Sequence, residues 1–274
     1  MEWSLPMSEL SPAHILQSGD SVLLIDPKER EYLRTLSSGK RIHLHGGLLN
    51  ADDIIGRPDG LIVRNSAGQE FVVVRPTFAQ LIPNLPRRAQ VIYPKDIGPI
   101  LLWGDIYPGA TVIEVGVGPG ALTMALLRTI GPTGRLISYE CREDHIEMAR
   151  ENVARFIGPV DNWTVHLADA TCGFEERNVD RMTVDMPEPW RLTDAAAETL
   201  RPGGVFLGYI PTVLQVKQLA DALQASPHFD LVQVSESLQR FWHVKQLSIR
   251  PEHRMVAHTG FLVSARRVVR LEAS

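Results

Sequence analysis

Residues Glu114-Val-Gly116-Val-Gly118-Pro119-Gly120-Ala121 constrain this chain more than any other stretch. A largely β-branched run, Val112–Val115, leads into them, and a helix-forming run, Ala121–Ile130, leads out. Strand, glycine turn and helix in that order is a unit of open α/β sheets. Glycine lets the chain turn sharply and lets a ligand come close to the backbone. The helix start behind the turn offers free N–H groups and partial positive charge, which suit a carboxylate or a phosphate. Taken alone, a glycine turn is equally consistent with plain packing of helix on strand.

The alternation continues downstream. Leu136–Tyr139 reads as a strand. The stretch Asp144–Phe156 reads as a helix, with Ile146, Ala149, Val153 and Phe156 on one face. Thr164–Leu167 and Met182–Val184 are further strands, and Thr193–Leu200 is a helix stopped by Arg201-Pro202-Gly203-Gly204. Val205–Tyr209 is a strand. The helix after it places Val213, Val216, Leu219, Ala220 and Leu223 together, and β-like runs follow at Leu231–Val234, Leu247–Ile249 and Phe261–Ser264. Strands alternating with helices predict a largely parallel sheet, right-handed connections, helices on both faces and ligands at the carboxyl ends of the strands.

The first part of the chain reads differently. Short β-like runs at Val22–Ile25, Arg41–His45, Leu61–Arg64 and Phe71–Arg75 are broken by Gly46-Gly47, Pro58-Asp59-Gly60 and Asn65-Ser66-Ala67-Gly68. Leu61 to Arg75 predicts a hairpin. The expected organisation is a small β domain over 1–80 and a larger α/β domain over 81–274. Pro76, Pro83 and Pro86 disfavour regular structure across the junction.

Composition bounds the class. With 44% apolar residues the chain can bury a core, yet no apolar run approaches the ~18 residues of a membrane-spanning helix. Met1 to Leu10 lacks the pattern of a signal peptide. Cys141 and Cys172 stand far apart at no metal-ligand spacing, as do His243, His253 and His258. The expectation is a cytoplasmic protein with free thiols and no metal. A net charge of −4 argues mildly against a dedicated nucleic-acid binder, although Arg87, Arg88 and Lys95 cluster, as do Arg250, Arg254, Arg266, Arg267 and Arg270.

Three acidic residues give the glycine turn its chemistry. Glu140 ends the second strand, where nucleotide-binding sheets place an acceptor for both ribose hydroxyls. Asp169 ends the third, where an adenine edge would lie. Asp185 opens Asp185-Met186-Pro187-Glu188-Pro189-Trp190 after the fourth, and its prolines stiffen that loop. The turn is G-x-G-x-G rather than the dinucleotide G-x-G-x-x-G, and resembles motif I of the class I methyltransferases. That resemblance implies a Rossmann-like, mostly parallel seven-stranded sheet with S-adenosylmethionine over the turn. It puts Glu114 near the methionine end and Gly116, Gly118, Pro119, Gly120 and Ala121 against the cofactor.

Further segments narrow the resemblance. They are Gln90-Val-Ile-Tyr93-Pro-Lys95-Asp96, Ser138-Tyr139-Glu140, Asp185–Trp190, Tyr209-Ile-Pro211 with Gln215, Arg250-Pro-Glu-His253-Arg-Met and His258-Thr259-Gly260-Phe261-Leu262. Over nearly its whole length the chain resembles the bacterial tRNA adenine-58 N1-methyltransferases, the TrmI family. The implied reaction moves a methyl group to N1 of adenosine 58 in the tRNA T-loop. Glu140 would bind the ribose, His145 would lie near the cofactor, and Asp169 and Ala170 would meet the adenine. Asp185 would be the catalytic carboxylate, with Tyr93 and Tyr209 bordering the target base. Pro119 departs from the family's frequent serine, so the turn would hold the cofactor with one hydrogen bond fewer. The family is tetrameric, and assembly would merge basic patches into one tRNA surface. Other readings are a methyltransferase for a protein or small molecule, an NAD-dependent dehydrogenase, and a non-catalytic tRNA-binding subunit. Each tyrosine could equally be core packing.

Overall fold

The structure, a computed structural model, describes residues 14–86, 90–245 and 247–270. Met1–Leu10, Arg87 and Arg88 therefore lie outside the described residues. The chain divides into two compact units, Met1–Asn84 and Leu85–Ser274.

In the first unit β1 (Ser21–Ile25), β2 (Glu31–Thr35), β5 (Leu61–Arg64) and β6 (Glu70–Val74) form an antiparallel sheet in the order β2-β1-β6-β5. A separate hairpin pairs β3 (Arg41–Leu44) with β4 (Gly47–Asn50). Alternate residues of the strands close over one core that includes Val22, Leu24, Ile42, Leu49, Phe71 and Val73. The expected hairpin from Leu61 is present as β5 and β6. The expected break at the prolines is only partial. Helix α1 (Phe78–Leu81) forms behind Pro76 because Thr77 and Gln80 make a reciprocal capping box. Pro83 is absorbed in a 3-10 turn, Ile82–Asn84.

The second unit begins with α2 (Pro94–Trp103), then β7 (Thr111–Val115), α3 (Ala121–Ile130), β8 (Arg135–Glu140), α4 (Glu143–Phe156), β9 (Trp163–Leu167) and β10 (Val179–Val184). There follow α5 (Thr193–Thr199), β11 (Leu200–Ile210), α6 (Val213–Ala225), β12 (Phe229–Glu236), the hairpin β13 (Trp242–Lys245) and β14 (Ser248–Pro251), and β15 (Phe261–Arg267). Seven strands make one sheet in the order β12-β15-β11-β10-β7-β8-β9. β7 to β11 run parallel, and β15 enters antiparallel between β11 and β12. The resulting fold is α/β, with the mostly parallel seven-stranded sheet that the resemblance implies.

From β7 the chain steps outward to β8 and β9, then returns to lay β10 against the other side of β7. Right-handed crossovers therefore carry the helices of the two halves to opposite faces. The reversal lies between β7 and β10, and a crevice opens there at the carboxyl ends of the strands. Beneath it sits a continuous apolar core built from both halves, with Ile113, Ile137, Met182, Phe206, Leu219 and Val263 among its members.

Some local expectations shift. Arg201–Gly204 do stop α5, but they already belong to β11, which pairs from Leu200 with Val179 and slips register before Arg181 meets Val205. Val213 does not join the buried face of α6. It stands 66% exposed in the first turn, ahead of Leu219 and Leu223, which reach the core. No helix among the described residues is long and apolar enough to cross a membrane.

Phe206 is fully buried and packs edge-on to Phe229, 6.1 Å between centroids. Phe206→Ala should cost about 3–5 kcal/mol in urea unfolding of the larger unit, read as a lower midpoint.

Candidate active site

A cavity of about 400 Å³ lies at the reversal point, within the range of small-ligand sites. Its lining comes from four strand ends. β7 gives Gly116 and Gly118. β8 gives Glu140, Cys141 and Arg142, with His145 from α4. β9 gives Ala168, Asp169 and Ala170, and β10 gives Asp185, Met186 and Pro187.

The three glycines do different jobs. Gly116 has φ 83°, and a Cβ there would sit 2.1 Å from the backbone oxygen of Asp185. The tips of β7 and β10 touch at that point, with the Asp185 amide donating to the Val115 carbonyl at 2.8 Å. Gly120 meets the next helix instead: its Cβ would lie 3.1 Å from that of Ala149. Gly118, at φ 53°, faces open space with nothing within 4 Å of an added Cβ. It is the glycine that leaves room for a ligand.

Glu140 holds the turn in shape. Its Oε2 accepts from the amides of Val117 at 3.1 Å and Gly118 at 3.3 Å, and its Oε1 accepts from the Arg142 amide at 3.0 Å. His145 Nδ1 lies 3.3 Å from the same carboxylate. Burial pushes this acid's pKa up, but the three amides and the imidazole outweigh it, so the net shift is downward and Glu140 stays ionised. His145 Nε2 is buried with no partner among the described residues. Across the cavity Asp169 caps a short 3-10 turn, Ala170–Cys172, accepting from the amide and hydroxyl of Thr171 at 2.8 and 2.7 Å. Those bonds hold its pKa below the usual value.

Asp185 is different. Among the described residues no side-chain partner satisfies it, and its pKa is pushed up to about 6, first by removal from bulk water and second by the charge of Glu140. The residue is open to solvent on the cavity side, yet the concave wall around it displaces most of the water that would stabilise its charge. Its loop is pinned from the far side: Gln215 Nε2 donates to the Pro187 carbonyl at 2.9 Å while Thr212 Oγ1 donates to Gln215 Oε1 at 2.6 Å.

Several residues expected at the site are not part of this cavity's lining. Glu114 is fully buried behind the turn, bonded to Thr123 at 2.9 Å and Ser138 at 2.6 Å. Burial raises its pKa to about 8, so at neutral pH it is a mostly uncharged strut between α3 and β8. The Pro119 carbonyl accepts from Asn152 Nδ2 at 2.8 Å, fastening the turn to α4. Pro119, Gly120 and Ala121 are not in the cavity lining, nor are Tyr93, which caps α2, and Tyr209. Lys95 is no surface cation: its ammonium pairs with Asp96 at 2.8 Å and both are buried. Arg267 donates to the Ala197 carbonyl at 2.7 Å. Gln90, Cys141, Arg142, Met186 and Pro187 also line the cavity, which the sequence reading does not anticipate. Four of them are chain neighbours of Glu140 or Asp185, which is the signal that could have found them. Among the described residues no group of His, Cys, Asp or Glu is arranged to hold a metal ion.

Gly116→Ala and Gly118→Ala should separate these roles. Each carries left-handed strain of roughly 1–2 kcal/mol, but only Gly116→Ala also collides with backbone. Its urea midpoint should fall clearly further; equal losses would contradict the assignment.

Known proteins resemble this chain over most of its length. Residues 71–259 match the family model described as tRNA methyltransferase complex GCD14 subunit, and residues 15–63 match the TrmI-like N-terminal model. The tRNA (adenine(58)-N(1))-methyltransferase TrmI of Thermus thermophilus is 36% identical over 90% of this chain and 96% of its own length. A Methanocaldococcus jannaschii relative named for adenines 57 and 58 is 28% identical over 89% of this chain and 94% of its own. A SAM-dependent O-methyltransferase from Thermotoga maritima superposes with a TM-score of 0.91 at 35% identity, covering 96% of this chain and 98% of that one. The tRNA (m1A58) methyltransferase TrmI of Aquifex aeolicus gives a TM-score of 0.83 at 28% identity, over 93% and 100%.

Proposed function

We infer the reaction from one premise: this chain belongs to the tRNA methyltransferase family that the GCD14-subunit model describes. It is an S-adenosylmethionine-dependent methyltransferase that acts on tRNA at N1 of adenosine 58. The observation that carries the residue-level reading is Asp185, an unpartnered carboxylate on the cavity wall beside the glycine turn.

The cavity residues suit the cofactor. Gly118 leaves an open cradle where any side chain would intrude, and His145 Nε2 has a hydrogen bond to offer. Glu140, besides holding the turn, would accept from the ribose hydroxyls, and Asp169 with Ala170 would meet the adenine. The carboxylates suit a positively charged ligand. When bound, S-adenosylmethionine supplies an electrophilic methyl group on a cationic sulfur. Of the turn residues, Gly116 and Gly118, which line the cavity, would contact it, while Glu114, Pro119 and Gly120 would support the turn from behind.

Asp185 has the properties the acceptor needs. Adenine N1 is a modest nucleophile, and methylation leaves positive charge on the ring. A carboxylate accepting a hydrogen bond from the exocyclic N6 amine drives electron density toward N1 and stabilises that charge. With its pKa near 6, Asp185 is mostly ionised at neutral pH, yet basic enough to take the proton from the cationic product. N1 lies on the pairing edge of the base, so the adenine must leave its stack to reach the cavity. Tyr93 and Tyr209 would border the base once the tRNA is in place. A homotetramer that pools basic side chains would give this acidic chain its tRNA surface.

Four measurements test this. Labelled methyl from the cofactor should appear as N1-methyladenosine on digestion of unmodified tRNA; label in an O-methylated nucleoside would refute the acceptor. Asp185→Asn should lower kcat by about 10²–10⁴ and leave cofactor affinity by calorimetry little changed. The ionised carboxylate is the working form, so wild-type kcat/KM should fall about tenfold per pH unit below roughly pH 6, and the Asp185→Asn variant should lose that limb. Glu140→Gln, with an amide that cannot accept from all three backbone donors, should weaken cofactor binding by tenfold or more, at about 1.4 kcal/mol per tenfold.

A further inference from the structure

Outside the cavity lining, a cluster of buried polar groups is built around Asp96, a residue that the chemistry above does not use. Asp96, in the first turn of α2, is 1% exposed. Its Oδ2 accepts from the Tyr209 hydroxyl at 3.3 Å and from Thr259 Oγ1 at 2.5 Å. Its Oδ1 takes the Lys95 ammonium at 2.8 Å, and the same ammonium donates to the Ser237 carbonyl at 2.8 Å. One carboxylate thus gathers α2, the end of β11 and both ends of the segment between β12 and β15. Burying such an ion pair adds little net stability, because desolvation offsets the attraction. Its value lies in fixing geometry.

The geometry it fixes adjoins Asp185. β10 and β11 run in register with Val184 opposite Gly208, so the next residues lie side by side, Asp185 just past the end of β10 and Tyr209 still within β11, where it pairs with Leu262. The Tyr209 ring is also walled in by Gly260, where a Cβ would lie 2.5 Å from its Cζ. Burial first, then the nearby charges of Asp96 and Asp185, raise its pKa, outweighing the Thr259 bond that lowers it. The phenol therefore keeps its proton and shares it with Asp96 in a hydrogen bond. What remains for a substrate is the ring itself.

We propose that Asp96 is a positioning residue for the methyl acceptor, holding the Tyr209 ring beside Asp185 so that the target base is stopped in line with the cavity. Lys95 pairs with Asp96 and holds it in place, Thr259 shares the load, and Gly260 admits the ring. The proposal rests on the tRNA-adenine reading above. It assigns purpose to the Lys95-Asp96 and Thr259-Gly260 pairs, which the sequence set apart and the reaction did not use.

The test is single-turnover methylation of unmodified tRNA at saturating S-adenosylmethionine by the full-length enzyme, its Asp96→Asn and Tyr209→Phe variants, and the double variant. Each single change should slow the step by about tenfold or more, as expected for a misplaced reactant, with cofactor affinity within about twofold of wild type. Because both act through one hydrogen bond, the double variant should be no slower than the slower single. A wild-type rate in either single variant, or losses that multiply in the double, would overturn the proposal. Should Asp96→Asn not fold, Thr259→Val with Tyr209→Phe makes the same cycle around the same carboxylate. No methylated adenine from the wild type would instead overturn the reading of the reaction, and this proposal with it.

Discussion

The larger unit turns on a backbone contact at Gly116. Two strands that are neighbours in the sheet but far apart in sequence meet there so closely that not even a methyl group fits between them. This approach brings the Asp185 loop over the first glycine of the turn. It also places the raised carboxylate of Asp185 within electrostatic reach of Glu140. Every role assigned to the cavity presupposes that contact. The turn cannot be moved away without taking the β7 tip with it, and the Asp185 amide, bonded to Val115, holds the register on the other side.

Three carboxylates around one turn end in three different states, and their partners explain why. Glu114 has only hydroxyl partners and is sealed from solvent, so burial wins and its proton is retained. Glu140 is nearly as buried, but backbone amides point at it and it is ionised. Asp185 has neither hydroxyl nor amide partners and lies between the two. A site built this way contains a fixed negative charge, a neutral strut and a carboxylate that can change state near physiological pH. Residue type alone would make them equivalent.

That is also where the sequence stops being legible. Helix α3 has the bounds its pattern predicts, because glycine ahead of it and glycine behind it leave no other frame. Glu140, Asp169 and Asp185 can be found because each sits where a strand ends. α2 is hidden: it starts at Pro94, and a proline that costs nothing at the first helical position gives the pattern no periodic signal. β2, an edge strand with Glu31 and Arg34 turned outward, carries too little apolar alternation to stand out. β4 begins at a glycine that reads only as part of a turn. Glu114 suggests itself for the cavity because its neighbours are there; which way a side chain leaves a strand follows from the pleat, and here it leaves backward into α3. Asp96 carries no local signal of its task. Its partners Tyr209 and Thr259 are 113 and 163 positions away, so its role exists only once the sheet has closed.

The antiparallel entry of β15 sets an order on assembly. Among the described residues β12 has no neighbour in the sheet but β15, and the whole β13–β14 hairpin lies between them along the chain. As the polypeptide emerges from synthesis, β7 to β10 with their helices can pair as soon as they appear. The far edge must wait for β15, a slow non-local closure of the kind that leaves an unpaired edge exposed meanwhile. Thr259 and Gly260 stand immediately before that strand. The end of the crevice built by β7, β8 and β9 can therefore form early, whereas the buried cluster of Tyr209, Asp96 and Thr259 locks only when β15 slides in.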